Sequence, residues 1–220
     1  MPPLSDIWAI VPIKHLEKGK TRLSPVLTEE ERALLIPAMV ADVLDAFSNW
    51  GGMPVLVVTG DRRVVEMAER RGMHALLEEA STSESVAVES ATAFAQSRGA
   101  GGTMVVPADI PLITANDIRE VVSLTPAIGT LLVPAWDGRG TNAAIRRPAD
   151  LFPLRFGNDS FQPHAEAAEA TGRPLVITHN SNISLDLDSP AELCLFMDLD
   201  RVTKTRQVLD HLPIARRVAM

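Results

Sequence analysis

Residues 7–22 read IWAIVPIKHLEKGKTR, and the change of character inside this stretch decides the fold. The first seven, Ile7–Ile13, are apolar and rich in β-branched side chains, as a strand buried on both faces of a parallel sheet must be. Pro12 falls at the strand end, and a loop carrying Lys14, Lys18, Gly19, Lys20 and Arg22 follows. Beyond it, Thr28 and Glu31 have the spacing of a capping box, opening a helix that should run to about Phe47 on the repeat Leu35, Met39, Val43, Phe47. The pattern then recurs: residues 53–59 predict a strand, 61–70 a helix, 74–77 a short strand and 85–96 a helix. A further buried strand at 102–107 is closed by 108–112, and Thr114 can cap a helix carrying Ile118, Val121 and Val122. Residues 128–134 and 143–146 read as two more strands, separated by the turn-forming Asp137, Gly138, Arg139 and Gly140. Alternating strands and helices imply an α/β fold with a mostly parallel central sheet flanked by helices. With no linker, repeat or low-complexity tract in sight, one domain spanning residues 1–220 is expected. Residues after Pro190 predict one or two helices, and the segment 198–220 carries no legible role.

Hydrophobic residues make up 46% and charged residues 22%, which excludes a disordered or fibrous chain. No apolar run reaches the roughly 18 residues that a membrane span needs, and residues 1–6 lack the basic start and apolar stretch of a signal peptide. The expectation is a cytoplasmic protein. A formal net charge of −7 argues against general nucleic-acid binding, yet it leaves room for a small anionic substrate held by a local group of cations and metal ions. Cys194, the single cysteine, sits among Leu193, Leu195 and Phe196 and reads as a buried structural thiol.

Ligands of open α/β sheets bind beyond the carboxyl ends of the strands, so the loops there are the candidates for chemistry. After the first strand, Gly19, Lys20, Thr21 and Arg22 offer flexible backbone and two cations to phosphate oxygens. The stretch resembles half of a P-loop, but the full pattern needs a glycine where Lys14 stands, so the standard phosphate cradle fails here. A solvated basic loop would look the same. Asp109, directly after an apolar strand and between Ala108 and Ile110, is placed to hold Mg²⁺; a turn cap before Pro111 is its structural alternative. Residues 137–142 bring two glycines together with Thr141 and Asn142, a combination that can wrap an anion or simply make a hairpin. A fourth cluster, residues 156–161 (FGNDSF) followed by His164, offers Gly157, Ser160 and the first amides of an alanine-rich helix to a carboxylate or phosphate. His164 is either an acid–base group or a neutral hydrogen-bond partner. Residues 185–190 (LDLDSP) predict a strand end with Asp186 and Asp188 on one face; one could join Asp109 on a metal, and Asp188 could equally cap the helix that starts at Pro190.

Taken in order, five motifs resemble the CofC/FbiD family of phospho-acid guanylyltransferases of coenzyme F420 biosynthesis: residues 11–27 (VPIKHLEKGKTRLSPVL), 106–112 (VPADIPL), 137–143 (DGRGTNA), 156–164 (FGNDSFQPH) and 185–190 (LDLDSP). The resemblance implies a Rossmann-like nucleotidyltransferase fold of the GT-A type. It implies GTP, and a small phosphorylated carboxylic acid as acceptor: 2-phospho-L-lactate, phosphoenolpyruvate or 3-phospho-D-glycerate. It also places Pro12, Lys14, Gly19, Lys20, Arg22, Pro107 and Asp109 at the nucleotide, and Thr141, Asn142, Gly157 and Ser160 at the acceptor. Asp109 with Asp186 or Asp188 would hold Mg²⁺, and Lys20, Arg22 and Asp109 would carry the catalysis. One departure is visible: the family often has a Leu-Asn pair near the purine, where this chain reads Glu84, Ser85, Val86, Ala87.

The expected reaction is in-line attack of the acceptor's phosphate oxygen on the α-phosphorus of GTP, with pyrophosphate leaving and cations neutralising the charge. Two other readings remain. Nucleotidyl transfer onto a molybdopterin or sugar phosphate would use the same loops, and so would a catalytically silent nucleotide-binding regulator. A homodimer is compatible with all three, and nothing in the sequence selects it.

Overall fold

A computed structural model describes residues 6–16, 19–78, 83–157 and 159–213; Lys18, Asn158 and residues 1–5 and 214–220 of the segments discussed above lie outside them. Strand β1 (Ile7–Ile13) is the axis of the molecule. Its odd residues Ile7, Ala9 and Val11 join one core cluster and its even residues Trp8 and Ile10 the other, so the strand is covered on both faces. That is why seven consecutive apolar residues occur there and no polar alternation does. Truncating Ile10, which is fully buried, to alanine would leave a cavity worth about 2–5 kcal/mol.

The chain continues through a 3-10 turn at Thr21–Leu23, α1 (Glu29–Trp50), β2 (Val55–Thr59), α2 (Arg62–Glu69), β3 (His74–Leu77), α3 (Glu84–Ser97) and β4 (Gly102–Val105). It then forms α4 (Ala115–Leu124), β5 (Gly129–Pro134), β6 (Thr141–Arg147), α5 (Phe161–Ala170), β7 (Leu175–Ile177), α6 (Ser181–Ser184), α7 (Pro190–Asp198) and α8 (Lys204–Asp210). All seven strands join one sheet in the order β3-β2-β1-β4-β6-β5-β7. Apolar faces of α1, α2, α4 and α7 cover one side, and the alanine-rich α3 and α5 cover the other. The expected capping box at Thr28 and Glu31 opens α1, and Asp61 and Thr114 cap α2 and α4.

Several expectations need correction. The sheet is mostly parallel, as expected, and within it only strand β6 runs antiparallel, to both β4 and β5, because the short turn that joins β5 to β6 returns the chain antiparallel. Strand β7 and the single turn α6 were absent from the sequence reading; β7 is three residues long and only partly buried, which leaves no periodicity to detect. Residues 185–188 form no strand but cross the end of the sheet in an irregular extended path, held where the amide of Leu187 donates to the carbonyl of Asp109 at 2.9 Å. The cap of α7 is Ser189, in a capping box with Glu192, and not Asp188. Cys194 on α7 is half-buried, not buried.

By length and composition α1 could cross a membrane, but ten of its residues, from Leu35 to Phe47, are buried in the core. It is a core helix that runs to Trp50, past the end expected near Phe47. Helix α8 docks on it through the Asp42 carboxylate, which accepts from the amides of Lys204 and Thr205 at 2.8 Å each. The described part of the segment after 198 is thereby packed against the main core.

Candidate active site

The sheet order reverses its direction of growth between β1 and β4, both parallel to each other, and such a switch point opens a crevice beyond the carboxyl ends of the strands. Two loops from opposite sides meet there. The loop after β1 brings Lys20, whose backbone takes the left-handed conformation (φ 52°) that only the surrounding structure can impose on a side-chain-bearing residue. The loop after β4 brings Asp109. The 185–188 segment, arriving from the far half of the chain, adds Asp186 and Asp188.

One oxygen from each of Asp109, Asp186 and Asp188 lies within 4.8 Å of the others. The Lys20 ammonium bridges Asp109 and Asp188. Burial alone would pull the Lys20 pKa down, but the two carboxylates outweigh it and hold the group above the ordinary lysine range. Asp186 shows the opposite imbalance. Burial first, and then the charge of Asp109, push its pKa up to about 6, against one stabilising hydrogen bond from Asn142. Oxygen Oδ1 of Asp109 is buried with no hydrogen-bond partner among the described residues. Three carboxylates crowded together, one orphaned oxygen and an ammonium drawn between them form an all-oxygen donor set short of positive charge. Such a set fits a hard divalent cation.

Around the cluster lies a cleft of about 450 Å³. Arg22, Pro107, Thr141, Asn142, Gly157 and Ser160 all line it. Because β6 is antiparallel, its first residues, Thr141 and Asn142, lie at the same rim as the carboxyl ends of β4 and β5. Asn142 is not a free donor: its side-chain nitrogen is shared among the carbonyls of Ile183 and Ser184 and Oδ1 of Asp186, all within 3.0 Å. It fixes the position of Asp186. Gly157 holds φ 148°, a conformation that favours glycine, and Asp159 follows at φ 58°. The chain there turns sharply to bring the buried Ser160 to the start of α5. Glu192 accepts from the amides of Asp188 and Ser189 at 2.8 and 2.7 Å, which fixes the backbone under the third carboxylate.

His164 takes its neutral reading. Nε2 accepts the Arg155 amide at 2.9 Å, so Nδ1 carries the hydrogen and donates to Thr141 Oγ1 at 2.9 Å. Burial first, and then the Arg146 charge, bring its pKa down to about 4. It orients Thr141 from behind and faces no ligand as an acid or base.

Pro12 and Lys14 line a smaller pocket next to the cleft, and Gly19 approaches α1 at Ile36. Among the cleft-lining residues that sequence reasoning had not assigned are the charged Glu84, Asp137, Arg139, Asp159 and Glu192. Arg139 is paired with Asp137 at 2.9 Å and with Asp159 at 3.7 Å. Its position in a turn-forming stretch was visible, but turn residues are ordinarily charged, so nothing marked it. Glu84 begins α3 and is held above the usual carboxylate range by burial and then by Asp109.

A seven-stranded α/β sheet with a cationic loop and a carboxylate cluster at its switch point suits a phosphate-bearing ligand together with a divalent cation. The structure superposes on that of a protein described as a nucleotide-diphospho-sugar transferase from Desulfovibrio desulfuricans G20 with a TM-score of 0.79, covering 98% of this chain and 97% of the other at 18% identity. Residues 7–218 match the family described as guanylyl transferase CofC like, and the chain belongs to that family. It is 35% identical over 187 residues to a phosphoenolpyruvate guanylyltransferase from Sphaerobacter thermophilus, covering 84% of this chain and 89% of the relative. It is 34% identical over 185 residues to a 2-phospho-L-lactate guanylyltransferase from Methanothermobacter thermautotrophicus, covering 84% and 81%.

Proposed function

We propose that the protein transfers GMP from GTP to a phosphorylated three-carbon acid, releasing pyrophosphate, as a step of coenzyme F420 biosynthesis. The observation that carries the reading is the meeting of Lys20, Asp109, Asp186 and Asp188 at the edge of a cleft that also holds Arg22, Arg139, Thr141 and Ser160. Named relatives on both the phosphoenolpyruvate and the 2-phospho-L-lactate side support it.

In this reading Asp109, Asp186 and Asp188 hold Mg²⁺, which when bound supplies charge neutralisation on phosphate oxygens. Lys20 and Arg22 bind and align the triphosphate. Thr141 and Ser160 take the acceptor, with His164 keeping the Thr141 hydroxyl in place; the amides at the start of α5 contribute little, since Phe161 already donates to the Arg139 carbonyl and Pro163 has no N–H. An oxygen of the acceptor phosphate attacks the α-phosphorus, a new phosphoanhydride bond forms, and the bond to the β-phosphate oxygen breaks in line. Pyrophosphate departs with that electron pair. No side chain is acylated or phosphorylated, because alignment and electrostatic stabilisation of two polyanions supply the rate.

The test crosses each nucleoside triphosphate with 2-phospho-L-lactate, phosphoenolpyruvate and 3-phospho-D-glycerate in the presence of Mg²⁺ and follows pyrophosphate. Release with GTP and one of the three acids is expected. GTP binding with no pyrophosphate from any acceptor would replace the reading with a silent nucleotide binder.

A further inference from the structure

Residues 153–156 form neither helix nor strand, yet they lead straight into Gly157 and Ser160, which line the cleft on the side read as the acceptor site. A strap without a ladder must find other partners for its backbone groups. Helix α3 supplies them. Ser85, Glu89 and Thr92 stand four and three positions apart on it, a polar stripe on an alanine-rich helix. The amide of Phe156 donates to Ser85 Oγ at 2.9 Å, and the amide of Leu154 donates to Glu89 Oε1 at 3.0 Å. Thr92 takes part through the fully buried Arg146, whose Nη2 donates to Thr92 Oγ1 at 3.1 Å while Nη1 donates to Glu89 at 3.2 Å and to the Phe152 carbonyl. The stripe therefore grips the strap at three successive points.

The three points are not equivalent. Glu89 and Arg146 form an ion pair inside the fold, and removing Glu89 would leave the Arg146 charge buried without its carboxylate. Ser85 holds the point nearest the cleft, because Phe156 directly precedes Gly157. It does not cap its own helix: Ser83 does that, accepting from the Val86 amide, so the Ser85 hydroxyl is left for the strap. The Phe156 ring packs on the α3 side of the core and meets the His164 ring edge-on at 5.1 Å, so ring and amide together fix where the turn at Gly157 begins. Resting on the GMP-transfer reading, we propose that Ser85 is a positioning residue for the acceptor: its hydroxyl touches no substrate but holds the Phe156 amide so that Gly157 and Ser160 meet the phospho-acid in place. A loop fixed in advance spares the acceptor the ordering of that backbone, and the benefit is read as affinity.

The experiment uses the full chain with Mg²⁺ present and compares wild type, Ser85→Ala, Ser85→Thr, Ser160→Ala and the Ser85→Ala/Ser160→Ala double variant. It measures kcat, KM for GTP and KM for whichever of the three phospho-acids the wild type uses, together with the melting temperature. Ser85→Ala leaves the Phe156 N–H without its acceptor and should raise the acceptor KM about tenfold, with kcat and the GTP KM held within about twofold. Ser85→Thr keeps a hydroxyl and should restore the wild-type value. Because Ser85 acts through the loop that places Ser160, the loss in the double variant should fall short of the product of the single losses. A lowered melting temperature with both KM values unmoved would reduce Ser85 to a structural contact and overturn the proposal. So would a rise in the GTP KM alone, which moves the hydroxyl to the nucleotide, or a threonine variant no better than alanine. Wild type releasing no pyrophosphate with any of the three acids brings down the GMP-transfer reading and the proposal with it; normal wild-type turnover with an unmoved acceptor KM in Ser85→Ala brings down the role of Ser85 alone.

Discussion

The two halves of the sheet contribute unlike things to one cleft. The parallel half, β1 to β4, supplies Lys20, Glu84 and Asp109 from loops that directly follow strands or begin a helix. The half built on β5 to β7 supplies Thr141 from the start of an antiparallel strand, Ser160 from the start of a helix, and Asp186 and Asp188 from an irregular segment. In the first half, position in the fold alone marks a residue as functional. In the second, Asn142 holds Asp186 and His164 holds Thr141 from distant parts of the chain, and Glu192, one turn away, holds the backbone at Asp188. The sites of the second half are therefore assembled, while those of the first are delivered by the strands themselves.

Asp109 is where the halves join, through its own carboxylate and through the backbone bond to Leu187. Asp109→Asn should lower turnover by about a thousandfold or more while far-UV circular dichroism stays that of the wild type, since it removes charge and not core volume. Normal turnover would separate Asp109 from the chemistry and leave the two halves joined only structurally.

The pH dependence of stability should differ in sign between residues of the assembled half. His164, at about 4, lies below the ordinary histidine value of 6.5, so the unfolded chain binds a proton that the folded one refuses between those values. Its contribution is full above pH 6.5 and is lost as pH falls towards 4, by about 3 kcal/mol. Asp186, at about 6, lies above the ordinary 3.8, so the folded state gains stability from it as pH falls through 6. Denaturant melts of metal-free protein at pH 7 and pH 4.5 separate them: His164→Asn should flatten the acid loss and Asp186→Asn should steepen it. Identical slopes in both variants would show that neither group is perturbed.

Lys20 tests whether the delivered half depends on the assembled one. The ammonium is nearly buried, whereas Asp109 and Asp188 are 25% and 37% exposed, so solvent screening reduces the pair energies. Lys20→Ala should cost about 2 kcal/mol without metal, through the uncompensated carboxylates. Saturating Mg²⁺ should narrow the gap in thermal melts; a gap indifferent to Mg²⁺ would place the metal elsewhere.

A change confined to the scaffold of the first half should be smallest. Thr28→Ala removes the capping box of α1 and should lower stability by about 1 kcal/mol with turnover unchanged. A matching loss of turnover would mean that the loop before α1 transmits strain to Lys20.

The sequence by itself determined the elements that leave a periodic or capping signature: β1, the helices opened by Thr28, Asp61 and Thr114, and the loops in which Lys20 and Asp109 would sit. It also placed Asp186 and Asp188 close together along the chain. It could not choose between a hairpin and an anion-wrapping loop before β6, find the three-residue β7, or tell that 185–188 is irregular, because pairing and short edge strands are decided by burial and not by local composition. Nor could it weigh Glu84 or Arg139, or tell that Asn142 is engaged with Asp186. A carboxylate, a guanidinium or an amide becomes a site residue through the groups that surround it and the donors or acceptors it is left without. Residues more than forty positions apart, such as Asn142 and Asp186, acquire that relation only when the chain is folded.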